Sequence, residues 1–133
     1  MATKPKLVAL SSLPISDQAV KSGGMSAKRI ESFEDFWPYY LGEHRRAGTK
    51  ALHFIGTTGA LTLIILSLLL RDWPLVLAAL LCGYGFAWIG HFLIEKNRPA
   101  TFQYPLWSLA ADWKMWGLIL TGRIRTELRR LNV

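Results

Sequence analysis

Two long apolar stretches dominate the middle of the chain. Ala51–Leu70 has 20 residues and Trp73–Ile94 has 22, and neither contains Asp, Glu, Lys or Arg. At about 1.5 Å of rise per residue, each stretch would form a helix about 30 Å long, the thickness of the hydrocarbon layer of a bilayer. The polar pair Arg71-Asp72 separates them. We therefore predict an all-α protein built on a transmembrane helical hairpin, with spans at 51–70 and 73–94.

The residues before the hairpin show the periodicity of an amphipathic helix. Apolar side chains follow the i, i+3, i+4, i+7, i+8 spacing at Phe33, Phe36, Trp37, Tyr40 and Leu41. Ser32 and Asp35 resemble a capping box, and Pro38 must either kink the helix or mark the first turn of a shorter one. Because Phe, Trp and Tyr suit the headgroup region, we predict an interfacial helix at about 33–47.

This helix cannot continue into the hairpin and present its histidines on one face. His44 and His53 are nine residues apart, and at about 100° per residue they would point to opposite sides of a continuous helix. Gly48 lies between them and is the predicted break. A turn there would let the first helix fold back and bring His44 to the mouth of the hairpin.

A second flanking helix is predicted after the hairpin. Pro99 ends or bends the second span, and Pro105 can open a helix that runs to about residue 121. Asp112 and Lys114 fall at its centre, and a charge at mid-bilayer costs about 2.5–3.5 kcal/mol. We therefore expect the helix at 105–121 to lie in the interface or to pack over the hairpin mouth.

The distribution of charge favours one membrane orientation. Of 16 Lys and Arg residues, eight precede the hairpin, seven follow it and only Arg71 lies in the turn. This bias predicts that both termini are cytoplasmic, in a bacterial inner membrane or, in a eukaryote, the endoplasmic reticulum. The net charge of +7 is better explained by anionic lipid headgroups than by nucleic acid, for which the chain has no recognisable motif.

A chain of 133 residues is long enough for one domain. We predict a disordered tail at 1–28, in which Met25 is a possible alternative start, and a single helical membrane domain at 29–133. A basic segment with Arg123, Arg125, Arg129 and Arg130 ends the chain and should be solvated. Cys82 is the only cysteine, so an intrachain disulfide is excluded. An oligomer remains possible.

The three histidines of the chain are all placed at one end of the hairpin. His53 lies 17 residues before Leu70 and His91 lies 17 residues after Pro74, so in an antiparallel pair both lie at the same depth. His44 lies just outside that membrane face. Each histidine alone could be a solvated or hydrogen-bonded residue. Together they predict a metal site for Fe(II) or Zn(II) at the cytoplasmic face.

Two carboxylates could complete this site. Glu95 is one helical turn beyond His91, and Asp112 lies on the covering helix. Two histidines and a carboxylate form the facial triad of non-haem iron oxygenases, whereas three histidines and water form a catalytic zinc site. Glu95 could instead orient a histidine or pair with a neighbouring cation, and Asp112 could form an ion pair. The candidate catalytic groups are thus the three histidines and Glu95.

The basic residues that follow the second span could bind a fatty acid. Lys96 and Arg98 lie at headgroup level, where an acid bound between the helices would place its carboxylate. Asn97 and Tyr40 are further candidate substrate contacts. Lys96 and Arg98 could equally be ordinary membrane-flanking residues.

Two segments resemble the small membrane family of 2-hydroxy fatty acid dioxygenases. This family is known from the fungal enzyme that shortens 2-hydroxy acyl chains during phytosphingosine breakdown and has many uncharacterised bacterial relatives. The resemblance covers about Phe33–Trp116 and rests on YYLGEHRRAGTKALHFIGT (Tyr39–Thr57) and GHFLIEKNRPATFQYPLWSLAADWKMW (Gly90–Trp116). The family often has a proline and an asparagine between its first two histidines, where this chain has Ala47-Gly48-Thr49.

The resemblance implies an Fe(II) cofactor held by His44, His53 and His91. It implies O2 and a 2-hydroxy fatty acid as substrates, with a fatty acid one carbon shorter as the product. Two alternatives stay open from the residues alone: a zinc-dependent membrane lipid hydrolase, and a non-catalytic hairpin that binds lipid or a partner membrane protein.

Overall fold

A computed structural model of the chain describes residues 29–133, which are helical and contain no strand. The predicted tail at 1–28 and the start at Met25 lie outside the described residues. The helices are α1 (Phe33–Gly42), α2 (Ala47–Leu70), α3 (Pro74–Ile89), α4 (Pro105–Leu120) and α5 (Ile124–Leu131). A π-helical segment, Gly90–Glu95, continues α3, and a short 3-10 turn, Ala100–Phe102, precedes α4. The all-α prediction is confirmed.

Helix α1 begins with the predicted cap and ends earlier than predicted. The Ser32 hydroxyl accepts from the Asp35 N–H at 3.1 Å and donates to Asp35 Oδ2 at 2.7 Å. The helix continues through Pro38 and ends at Gly42 rather than near residue 47.

The break between α1 and α2 therefore lies at residues 43–46, and its prediction at Gly48 was wrong. A side chain from the first turn of α2 stabilises this connection: Lys50 Nζ donates to the carbonyls of His44 and Arg45, at 2.7 and 3.0 Å. Gly48 instead lies in the first turn of α2, where an added Cβ would come within 3.2 Å of Ile94 Cδ1. Its small size serves packing.

Helices α2 and α3 form the predicted antiparallel hairpin. Arg71 adopts the left-handed conformation, with φ of 54°, and ends α2. The helices approach closely at two glycines, because a Cβ on Gly56 would lie 2.8 Å from Phe86 Cβ and one on Gly59 would lie 2.7 Å from Cys82 Sγ. Ala47–Leu70 and Pro74–Glu95 are each long and apolar enough to cross a membrane.

The hydrophobic core lies at the mouth of the hairpin. Its buried members come from α1, α4 and the turn before α4: Phe36, Trp37, Tyr40, Leu41, Ala100, Ala111 and Met115. Helix α5 packs Ile124, Leu128 and Leu131 against this cluster, while its arginines remain exposed. Trp37 Nε1 donates to Glu127 at 2.8 Å. The basic end of the chain is thus solvated on one side only.

Candidate metal centre

The three histidines meet at the mouth of the hairpin. His44 lies in the connection after α1, His53 on α2, and His91 in the π-helical segment. All three side chains are buried, with exposed fractions of 0%, 5% and 2%. One nitrogen from each ring lies within 4.8 Å of the other two, so the group can hold a metal ion.

The second nitrogen of each ring faces a hydrogen-bond acceptor. Nδ1 of His44 lies 2.6 Å from the Tyr40 carbonyl, Nδ1 of His53 lies 2.9 Å from Asp112 Oδ1, and Nδ1 of His91 lies 2.8 Å from Asn97 Oδ1. A carbonyl and a carboxylate can only accept, so Nδ1 carries the proton in each neutral ring. Each Nε2 is left with a lone pair that is available to a metal ion.

These lone pairs point at one another in a buried site. Nε2 of His44 and Nε2 of His53 are 3.0 Å apart, and two lone pairs at that distance repel. Burial, helped by the neighbouring His53 and His91, lowers the pKa of His44 well below its usual value, so protonation is not the remedy at neutral pH. A divalent cation between the rings would satisfy all three nitrogens, and imidazole is a suitable ligand for iron or zinc. The residues therefore fit a metal.

Asp112 reaches the site from α4 and lies behind His53. Its Oδ1 accepts from His53 Nδ1 and from the Tyr40 hydroxyl. Burial and the Asp112 charge raise the pKa of Tyr40 well above its usual value, so this phenol stays protonated. Asp112 was predicted as a possible ligand or ion-pair partner. The structure gives it the position of a carboxylate that fixes the ring and tautomer of a ligating histidine.

Asn97 has the corresponding position behind His91. Lys96 adopts the left-handed conformation, with φ of 60°, and ends the π-helical segment. The chain then folds back, so that the Asn97 N–H donates to the His91 carbonyl at 3.0 Å. The Asn97 amide nitrogen donates to the Glu43 carbonyl and carboxylate, at 3.0 and 2.8 Å, which leaves its oxygen for His91. Asn97 and Tyr40 are also predicted substrate contacts. The Asn97 side chain contacts His91, and the Tyr40 hydroxyl contacts Asp112.

Glu95 is not part of the convergent group. Its Oε1 accepts from the Arg46 N–H at 2.6 Å, at the start of α2. The α-helical spacing that placed Glu95 above His91 does not apply, since a π-helix needs more residues per turn. The Glu95 carboxylate thus caps a helix N-terminus.

Lys96 and Arg98 are exposed beside the site. The Arg98 guanidinium lies 5.9 Å from the centre of the Phe102 ring. Both residues remain candidates for binding a carboxylate.

Sequence reasoning missed two residues that position the histidines. Glu43 anchors Asn97, and Lys50 binds the main-chain carbonyls of His44 and Arg45. The available signal was their charge beside the proposed site, since both lie within six residues of His44.

Two cavities border the histidines. One, of about 240 Å³, begins at His53 and Asp112 and continues between α2 and α3. The other, of about 470 Å³, reaches His44 from the side of α5 and is also lined by Arg45 and Lys50. The first is mainly apolar, whereas the second has polar and apolar surface in about equal parts, so the histidines lie between two different environments.

A family model described as 2-hydroxy-palmitic acid dioxygenase Mpo1-like matches residues 30–124 of the chain. The chain therefore belongs to this family, and the predicted resemblance is confirmed. No curated protein and no solved structure matches it.

Proposed function

We propose that this member of the 2-hydroxy-palmitic acid dioxygenase Mpo1-like family is an iron(II)-dependent enzyme that converts 2-hydroxy fatty acids to fatty acids one carbon shorter. The family description supplies the substrate class. The observation that carries the proposal is the convergence of three histidine nitrogens whose rings are each fixed at Nδ1.

His44, His53 and His91 would hold the metal through Nε2. Bound iron(II) would supply positions at which O2 and the hydroxy acid meet, because three protein ligands leave coordination sites open. The chain's own contribution is rigidity. Asp112 and Asn97 keep two rings in the ligating tautomer, and the Tyr40 carbonyl does so for the third.

The substrate can supply all the electrons that the reaction needs. Oxidation of a 2-hydroxy acid to the next lower acid and carbon dioxide releases four electrons, three from C2 and one from C1. One O2 accepts these four electrons, and water is the remaining product. The proposal therefore requires no flavin, haem or nicotinamide.

We further propose that α2 and α3 cross the bilayer with the mouth of the hairpin at the cytoplasmic face. The apolar outer surface of both helices supports insertion in the bilayer. The concentration of Lys and Arg before and after the hairpin, rather than in its turn, supports this orientation. A fatty acid dissolved in the inner leaflet would then reach the centre without leaving the membrane.

The decisive experiment combines metal analysis with product analysis. Detergent-purified protein is loaded anaerobically with Fe(II) or Zn(II), and 2-hydroxypalmitic acid is added with and without O2. We expect about one iron per chain and the formation of pentadecanoic acid only with iron and O2. Oxygen-independent hydrolysis of a 2-hydroxypalmitoyl ester by the zinc-loaded protein, assayed in parallel, would indicate a hydrolase instead. The absence of both bound metal and product would indicate a binding protein.

Replacing each histidine separately tests the ligand set. His44→Ala, His53→Ala and His91→Ala should each abolish stoichiometric iron binding and turnover. Membrane-associated protein should still accumulate, since none of the three substitutions alters an outward-facing apolar residue. Full activity in any one variant would remove that histidine from the ligand set.

A further inference from the structure

The apolar cavity beside His53 is a groove with two chemically different ends. His53 and Asp112 form one end, and Leu109 and Trp113 of α4 border the groove near it. The opposite end, toward the hairpin turn, is lined by Ile64, Val76 and Leu80. A ligand that matched this groove would have one polar end and a hydrocarbon body.

Small residues line the middle of the groove. Ala60 and Gly83 both border it, and a Cβ added to Gly83 would lie 3.6 Å from Ala60 Cβ. The two residues are therefore close neighbours on the same side of the groove. Because neither has a long side chain, neither fills the space beside it.

The length of the groove corresponds to an acyl chain. Ile64 lies eleven residues after His53, which is about 16 Å along α2. With carbon–carbon bonds of about 1.5 Å, an extended chain advances about 1.25 Å per carbon. The groove therefore has the length of about 13 carbons, and Ile64 lies where the end of a long fatty acid would be.

We propose that this groove binds the acyl chain of the substrate and that Ile64 sets the preferred chain length. The inference rests on the proposed function, since it places the carboxyl end of the acid at the histidines. The occupant is the substrate rather than a bulk lipid tail, because the groove is continuous with the histidines, where bound iron would take the polar end of the acid.

Neighbouring isoleucines provide a matched test. Ile64 lines the groove, whereas Ile65 is 47% exposed on the outer surface. Turnover is measured over 2-hydroxy acids of about 10 to about 20 carbons, a range that includes the estimated length of the groove. Ile64→Trp should move the optimum about two to four carbons shorter and Ile64→Ala should move it longer, while Ile65→Trp and Ile65→Ala leave it unchanged. Equal profiles for the Ile64 and Ile65 variants would overturn the proposal.

Photolabelling tests the groove independently of turnover. Wild-type protein is irradiated with a 2-hydroxy acid that carries a diazirine on its last carbon, and labelled peptides are identified by mass spectrometry. Labelling at Ile64, Val76 or Leu80 that excess 2-hydroxypalmitic acid prevents would support the groove, even in a preparation that forms no product. Labelling spread over Leu68, Leu77 and other outward-facing residues would overturn it, even in a preparation that turns over.

Discussion

At the mouth of the hairpin large apolar side chains of α1 pack into a buried core, whereas at the turn the large apolar side chains point away from the protein. Phe36, Tyr40 and Leu41 are at most 1% exposed in the mouth. At the turn end, Leu69 and Leu70 are 74% and 66% exposed. The mouth thus has a core like that of a water-soluble protein, and the turn end has the apolar outer surface that is typical of a protein in lipid.

The two regions differ in what their side chains do. Three buried imidazoles can hold one metal only if their rings are fixed. The mouth supplies the hydrogen-bond partners that fix them from α1, from α4 and from Asn97, which follows the π-helical segment. The turn end holds two helices together and leaves an apolar groove between them. Rigid packing is therefore concentrated where chemistry is proposed.

The same substitution in both regions should have very different effects on stability. Leu41→Ala removes a side chain from the core and should lower the free energy of unfolding by about 2–5 kcal/mol. Leu69→Ala should change it by less than about 0.5 kcal/mol, because the side chain contacts little protein. Thermal and denaturant unfolding in one detergent would measure both. Similar losses would mean that the turn end has its own core.

A charge should be rejected in the middle of the proposed spans and accepted at the mouth. Leu81→Arg places a charge near the middle of α3 and should oppose insertion by about 3 kcal/mol. Leu106 is 79% exposed at the start of α4, in the proposed interface, so Leu106→Arg should insert normally. Resistance of the membrane-bound protein to alkaline extraction provides the measurement. Unchanged insertion of the Leu81→Arg protein would contradict the transmembrane proposal.

The same Asp→Asn substitution can be made beside the histidines and in the hairpin turn, and its effects on iron binding can be compared. Asp112→Asn keeps the shape of the side chain but removes the charge behind His53, and should weaken iron binding or turnover about 10–100-fold. Asp72→Asn, in the exposed turn, should leave both unchanged. Iron affinity is measured by competition with a chelator and turnover by product formation. Wild-type iron affinity in the Asp112→Asn protein would mean that the carboxylate does not act on the metal.

The smallest expected effect concerns the docking of α5 on the mouth. Hydrogen bonds from Arg130 and Trp37 lower the pKa of Glu127 to about 2, so this carboxylate is ionised at neutral pH. Because Arg130 is largely exposed, Glu127→Gln should lower stability by no more than about 1 kcal/mol. A double-mutant cycle with Arg130→Gln separates the Arg130 pair from the Trp37 hydrogen bond. A loss well above this value would make α5 an essential part of the mouth.

Sequence reasoning succeeded for features that depend on residues close together in the chain. The hairpin follows from two apolar stretches that are each long enough to span a bilayer. The equal distance of His53 and His91 from the turn follows from the fixed rise of a helix. The cap at Ser32 is similarly local. Each of these can be read from spacing, because helical geometry repeats regardless of what the helix packs against.

Only the tertiary structure decided how the histidines are held. The break before α2 moved from Gly48 to residues 43–46 because Lys50 and Glu95 bind that connection. The π-helical segment separates Glu95 from His91, and the left-handed Lys96 returns Asn97 to it. These outcomes depend on specific hydrogen bonds, some of them between residues far apart in sequence, such as those from Arg46 to Glu95 and from Asn97 to Glu43. The spacing of apolar residues carries no information about them. The sequence alone thus determined where the histidines would meet, and the packing of the mouth determined which atoms face one another there.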